Sequence, residues 1–268
     1  MCKRRIRSIW QLPIIISALA TLILLIMLFS AKQPTKSLVN VDTDFLLEEP
    51  GNYDWRLQLV NANHRLPQDY NVILVSLVNG LEVDERCYKD LQAMLDACRA
   101  EGLEPVVCSA YRSYNRQNEL FQNKVAEFAA YGFGVEQAEI EAAKVVALPG
   151  SSEHQLGLAV DIVDINNQIL DDSQEQTPVQ KWLQAHSWEY GFIMRYPSNK
   201  SEITGIIYEP WHYRYVGQEV AQSIFEQELC LEEYLNLVSV KKESLIGTPT
   251  LIIPCEFWIK TVRKALPA

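Results

Sequence analysis

His154 and Asp161 stand seven positions apart in SSEHQLGLAVD, and His212 stands fifty-one positions further along in EPWH. A fold that joins the three must carry the second stretch back onto the first. Gly157 lets the backbone turn between His154 and Asp161, so that both side chains can reach one centre despite their spacing. Two imidazoles and one carboxylate fill three positions of a tetrahedral zinc ion and leave the fourth open to water. A carboxylate outside the ligand set can then serve as general base, and Glu209, three residues before His212, supplies one. Each piece alone has an ordinary structural reading: a histidine beside a strand is usually a hydrogen-bonded core residue, and a glutamate before a tryptophan is usually on the surface. The joint pattern is the specific signal. H-x6-D carries a serine two before the histidine, a glycine three after it and an alanine two before the aspartate, with a distant E-P-W-H to complete it.

The chain's first residues set a second constraint. MCKRRIR holds four cations and no acid, and residues 14–31 carry no charge. At 1.5 Å per residue the apolar run spans roughly 27 Å, close to the thickness of a bilayer's hydrocarbon core. Cleavage after Ala31 would put bulky Phe29 at the position that wants a small residue, so a retained anchor is expected rather than a removed signal. The basic flank places the N-terminus in the cytoplasm and the rest of the chain outside, as in a single-pass protein of a bacterial cell membrane. The expected organisation is a basic tip (1–8), a transmembrane helix (9–31), a polar stalk (32–52), one domain (53–238) and a C-terminal extension of unassigned role (239–268). The formal net charge of -10 argues against a nucleic-acid partner, which wants a basic face.

Within the domain, NVILVSLVNGLEV reads as strand, Asn-Gly turn, strand. Helices are predicted over residues 84–99, 115–131, 135–148, 178–190 and 217–236, and strands in EPVVCSAYRS, LAVDIVDI, GFIMRY and GIIYE. Cys87, Cys98, Cys108, Cys230 and Cys255 lie on the outward side, and an odd number cannot all pair within one chain. Cys87 and Cys98 fall on one predicted helix about 16 Å apart, too far for a disulfide. With no C-x-x-C spacing, the cysteines read mostly as small buried hydrophobes.

These stretches resemble the VanY-type D-alanyl-D-alanine carboxypeptidases, zinc peptidases of bacterial cell-wall metabolism. The family motif S-x-H-x-x-G-x-A-x-D is met by Ser152, His154, Gly157, Ala159 and Asp161, and E-x-W-H by Glu209, Trp211 and His212. An upstream motif, Y-R-S-x-x-x-Q, is met by Tyr111, Arg112, Ser113 and Gln117, and LVNANHRLPQDY resembles the start of the family's domain. The resemblance covers residues 57–235 and leaves out the anchor, the stalk and the tail.

The resemblance implies an α+β domain, with a small central antiparallel sheet and helices packed around it. It implies one Zn2+ held by His154, Asp161 and His212, and Glu209 as the base that takes a proton from water and gives it to the leaving amine. It implies that Arg112 holds the substrate's terminal carboxylate, with Ser152 and Gln117 hydrogen-bonding near the scissile bond. Trp211 is expected to pack the strand that carries Glu209 and His212. His64 and His186 keep structural readings, His186 near the last carbonyls of its helix. The expected activity is that of a membrane-anchored D,D-carboxypeptidase hydrolysing the terminal D-Ala-D-Ala bond of peptidoglycan stem peptides. The same site would serve an L,D-carboxypeptidase, a D,D-dipeptidase or a wall endopeptidase, and a catalytically silent peptidoglycan-binding domain is the alternative from another class.

Overall fold

The computed structural model describes residues 54–246. The expected basic tip, membrane anchor and stalk, and the greater part of the C-terminal extension, lie outside the described residues. Among the described residues no helix is long and apolar enough to cross a membrane.

The fold is α+β. Strands β1 (Leu74–Ser76) and β2 (Glu82–Asp84) form the hairpin that the Asn-Gly pair predicts, with Gly80 at φ 82° in its turn. Helix α1 (Glu85–Ala100) follows at once, capped by the Asp84 carboxylate on the Arg86 N–H, and buries Cys87, Leu91, Met94, Leu95 and Cys98. Strand β3 (Pro105–Ser109), the paired helices α2 (Tyr114–Ala130) and α3 (Val135–Val145), and a 3-10 turn (Glu153–Leu156) lead to β4 (Ala159–Asp164). Helix α4 (Pro178–His186) starts with Thr177 as its cap and proline in its first turn. Then come β5 (Phe192–Tyr196), a single helical turn α5 (Ser201–Thr204), β6 (Glu209–Tyr215), and helices α6 (Gln218–Glu226) and α7 (Leu231–Ile246).

Strands β3, β4, β6 and β5, in that spatial order, make one antiparallel sheet. Strand alternation divides its residues between two faces. Val160, Ile162, Tyr213, Tyr215 and Phe192 belong to the main core with Leu91, Leu95, Val179 and Leu183 from α1 and α4. The opposite face carries Asp161, His212, Arg195 and Arg214, all buried. The two faces thus have different tasks: one packs hydrocarbon, where truncating Leu91 or Leu95 to alanine would cost about 2–5 kcal/mol, and the other assembles charges.

Three predicted elements differ. The helix predicted over 178–190 ends at His186 and continues as a 3-10 turn (Ser187–Tyr190). GIIYE is not a strand; the strand begins at Glu209 and runs through EPWHYRY. The helix predicted over 217–236 is two helices, broken at Glu228, which adopts φ 54°. Glu233 accepts the Cys230 N–H at 2.9 Å, so a side chain in the first turn of α7 restarts a helix that apolar spacing alone reads as continuous. Cys87, Cys98 and Cys230 are buried and Cys108 is exposed, and all four are free thiols.

Candidate metal centre

Asp161 on β4 and His212 on β6 are direct register partners. Opposed residues in an antiparallel pair project to the same face with their side chains in contact range, and Asp161 Oδ1 lies 3.0 Å from His212 Nδ1. His154 arrives from the 3-10 turn that precedes β4. Gly157 ends that turn at φ 74°, and a Cβ there would stand 2.9 Å from the Asp84 backbone nitrogen. Only glycine combines that dihedral with that approach. The His154 Nδ1–H donates to the Ala110 carbonyl at 2.7 Å, which turns Nε2 inward, 3.3 Å from Asp161 Oδ2. Nε2 is buried with no hydrogen-bond partner. Donor atoms of His154, Asp161 and His212 lie within 4.8 Å of one another.

This donor set fits zinc. Two nitrogens and a carboxylate oxygen face one point, a buried lone pair there has no protein partner, and the second ring nitrogen of His154 is fixed by a backbone carbonyl, as metal-binding histidines usually are. Electrostatics agree. Burial, with help from the Arg112 cation, lowers the His154 pKa to about 4, so it is a neutral donor at pH 7. Burial would raise Asp161, but the two histidines outweigh it and hold the carboxyl well below its ordinary value.

Glu209 and His212 are three apart on one strand, a spacing that normally puts side chains on opposite faces. The pairing of β5 with β6 shifts register between Met194 and Tyr196, and Tyr196 pairs with Glu209. Extra residues on β6, within the Pro210–Trp211 region, swing both side chains to the same side. Glu209 Oε2 comes to 3.8 Å from His212 Nδ1. Burial pushes the Glu209 carboxyl up to about 7 against the pull of His212. A carboxyl near 7 exchanges protons readily at neutral pH. Trp211 is buried beside it.

Arg112 stands 3.7 Å from Asp161 Oδ2, donates from Nη1 to Gln117 Oε1 at 3.0 Å, and keeps a buried Nε with no partner. Arg112, Gln117, Ser152, His154, Glu209 and His212 all line one small cavity of about 60 Å3, together with Tyr196 and Ile206. A larger groove of about 700 Å3 shares Arg112 and Glu209 and reaches Asp161. Gln117 is buried, and its Nε2 donates to the Ala147 carbonyl at 2.7 Å. The resemblance implies a substrate contact for Gln117; in the structure it lines the cavity and its amide also holds the guanidinium. His64 is exposed and bonds Asn61, and His186 pairs with Glu189 at 2.7 Å rather than with helix carbonyls; neither is in the convergent set.

Sequence reasoning missed Tyr196, whose ring lies 4.9 Å from that of His212, and Glu153, Arg195 and Arg214. The available signal was a lone arginine inside two apolar strands, FIMRY and WHYRYV. A charge in the middle of a buried strand demands a buried partner.

Comparison with known proteins gives a consistent answer. A family model described as VanY, D-alanyl-D-alanine carboxypeptidase, matches residues 80–218. A D-alanyl-D-alanine carboxypeptidase of Enterococcus faecalis is 48% identical over 189 residues, 70% of this chain and 69% of its own length. A crystal structure of a mutant of the vancomycin-resistance D,D-pentapeptidase VanY from a VanB-type resistance cassette, in complex with Zn(II), is 48% identical with a TM-score of 0.63, covering 68% of this chain and 100% of that one. A structure of VanYB in complex with D-alanine-D-alanine is 49% identical with the same TM-score of 0.63, covering 68% of this chain and 98% of the other.

Proposed function

The chain belongs to the VanY family of D-alanyl-D-alanine carboxypeptidases, and from that premise we propose that it is a zinc D,D-carboxypeptidase that trims the terminal D-alanine from peptidoglycan stem peptides at a membrane surface. One observation carries the reading: His154, Asp161 and His212 converge beside a carboxyl near neutrality and a partly unpaired arginine.

His154, Asp161 and His212 would hold the ion. When bound, zinc supplies Lewis acidity that polarises the scissile carbonyl and acidifies water. The chain's own groups do the rest. Arg112 offers its unpaired Nε and one Nη to the terminal carboxylate, a geometry suited to bidentate pairing. Gln117 keeps that guanidinium in place from α2. Glu209 takes a proton from the attacking water and returns it to the departing D-alanine nitrogen, roles that suit a pKa of about 7. Ser152 lines the cavity wall near the bond to be cut.

Membrane attachment rests on the uncharged run at 14–31 and its basic flank. It would hold the domain on the outer face, where exported precursors lie. The test is direct. The zinc-loaded full-length chain, in detergent micelles, is incubated with synthetic pentapeptide and tetrapeptide stems, and free D-alanine is measured with and without a chelator. Chelator-sensitive release from the pentapeptide is expected. Release from the tetrapeptide alone would replace the reading with an L,D-carboxypeptidase, and no release from either would remove the carboxypeptidase assignment.

A further inference from the structure

Glu153, the residue before His154, is buried on the charged face of the sheet with Arg195 and Arg214. Its two oxygens are used unequally. Oε1 accepts from Arg195 Nε and from Arg214 Nη1, each at 2.8 Å. Oε2 has no hydrogen-bond partner, and neither has His212 Nε2, and these two buried atoms face each other at 3.7 Å. Both arginines are themselves immobilised. Arg195 is clamped by the Glu232 carboxylate of α7 at 2.6 and 2.8 Å, and Arg214 donates to the carbonyls of Arg56 and Gln58 at 2.8 and 3.0 Å. A carboxylate fixed through one oxygen by two anchored guanidiniums can aim the other oxygen at a set point.

We infer that Glu153 is the positioning residue of His212, taking its Nε2–H so that Nδ1 is presented to the metal. This rests on the reading of His154, Asp161 and His212 as zinc ligands. The two histidines would then be oriented by different means: His154 by a backbone carbonyl at Nδ1, His212 by a carboxylate at Nε2. An approach of about half an ångström brings the pair into hydrogen-bond range. A carboxylate at that position also makes the imidazole a stronger donor, and loss of such an outer partner typically weakens metal binding about 10- to 100-fold. Because Arg195 is held by Glu232, α7 becomes part of the support of the metal centre.

A purely structural role, neutralising two buried arginines, makes a different prediction, and Glu153→Asp separates the two. It keeps the charge but withdraws the carboxylate by one methylene. Zinc affinity is measured by chelator competition on the full-length chain and on Glu153→Gln and Glu153→Asp, with circular dichroism reporting the fold. Both folded variants are expected to bind zinc about 10- to 100-fold more weakly than the wild type. In the zinc-loaded wild type, the His212 Nε2–H should give a downfield, exchange-protected proton resonance, which moves upfield in Glu153→Gln. Wild-type affinity in either folded variant would overturn the inference while leaving the ligand assignment intact. If neither variant folds, the wild-type resonance decides: a rapidly exchanging Nε2–H overturns it. A wild-type chain that takes up no zinc would defeat the ligand reading itself.

Discussion

Gln117 Oε1 accepts from Arg112 Nη1 at 3.0 Å while its own Nε2 donates to the Ala147 carbonyl at 2.7 Å, so the amide ties a guanidinium on the loop before α2 to the segment after α3. The pair fixes the cation in the cavity wall before any substrate arrives. We predict that Arg112→Lys, which cannot pair bidentately, loses about 1.5–3 kcal/mol of transition-state binding, or ~10- to 150-fold in kcat/KM. Gln117→Ala should lose less, mainly through a raised KM, because the guanidinium remains but is no longer held. The control is a C-terminally amidated pentapeptide. It lacks the carboxylate, so the Arg112→Lys penalty should nearly vanish on it; an equal penalty on free and amidated peptides would separate Arg112 from carboxylate recognition.

Glu209 gives the second prediction. It lies 3.8 Å from His212 Nδ1 and is outside the convergent donor set. Glu209→Gln is therefore expected to keep zinc stoichiometry and lower kcat by about 10²- to 10⁴-fold, the usual range for a general base. Zinc content by elemental analysis, set beside turnover, checks both halves. Normal turnover by the zinc-loaded variant would refute the base assignment.

Much of this site was legible because its members lie in two short stretches with few alternatives. Ser152, His154, Asp161, Glu209 and His212 could be picked from SSEHQLGLAVD and EPWH, as could the role of Gly157 between them. What spacing could not reveal was how Glu209 and His212 share a face, because that depends on a register irregularity against β5, a non-local property. Glu153 was equally hidden. Its neighbours Arg195, Arg214 and Glu232 come from β5, β6 and α7, and only the folded sheet brings them to one oxygen. The break at Glu228 escaped for a similar reason: the side chain that restarts the helix lies beyond the break, in a stretch whose apolar spacing shows no interruption.

A third prediction concerns protons. In the protein stripped of zinc by a chelator, burial favours neutral His212, but Asp161 and Glu153 outweigh it and raise its pKa to about 9. The imidazole is then charged at pH 7 and must lose a proton to become a ligand. Zinc uptake at pH 7 should release about one proton, and apparent affinity should rise about tenfold per pH unit until pH reaches about 9, then level off. The stability sign is the reverse: a raised histidine pKa stabilises the stripped fold below its unfolded value near 6.5, and that contribution is lost as pH rises through about 9. Titration calorimetry in buffers of different protonation enthalpy counts the protons. A count near zero at pH 7 would contradict the paired state of His212.

The last prediction separates two glycines with the same backbone demand. Gly80 and Gly157 sit at φ 82° and φ 74°, so alanine at either pays the left-handed strain of about 1–2 kcal/mol. They differ in surroundings. A Cβ at Gly80 meets nothing within 4 Å, whereas at Gly157 it would stand 2.9 Å from the Asp84 nitrogen, a backbone atom at the start of α1 that cannot swing aside. Asp84 also donates its N–H to the Gly157 carbonyl at 2.9 Å, so relief of the clash breaks a buried bond. Gly80→Ala should lower Tm by only a few degrees, and Gly157→Ala by clearly more. Because Gly157 lies between His154 and Asp161, its displacement should also weaken zinc binding, which Gly80→Ala leaves untouched. Thermal melts and chelator competition on both variants test this, and equal losses of stability would show that the dihedral alone, not the approach to Asp84, makes glycine necessary at the turn between the two ligands.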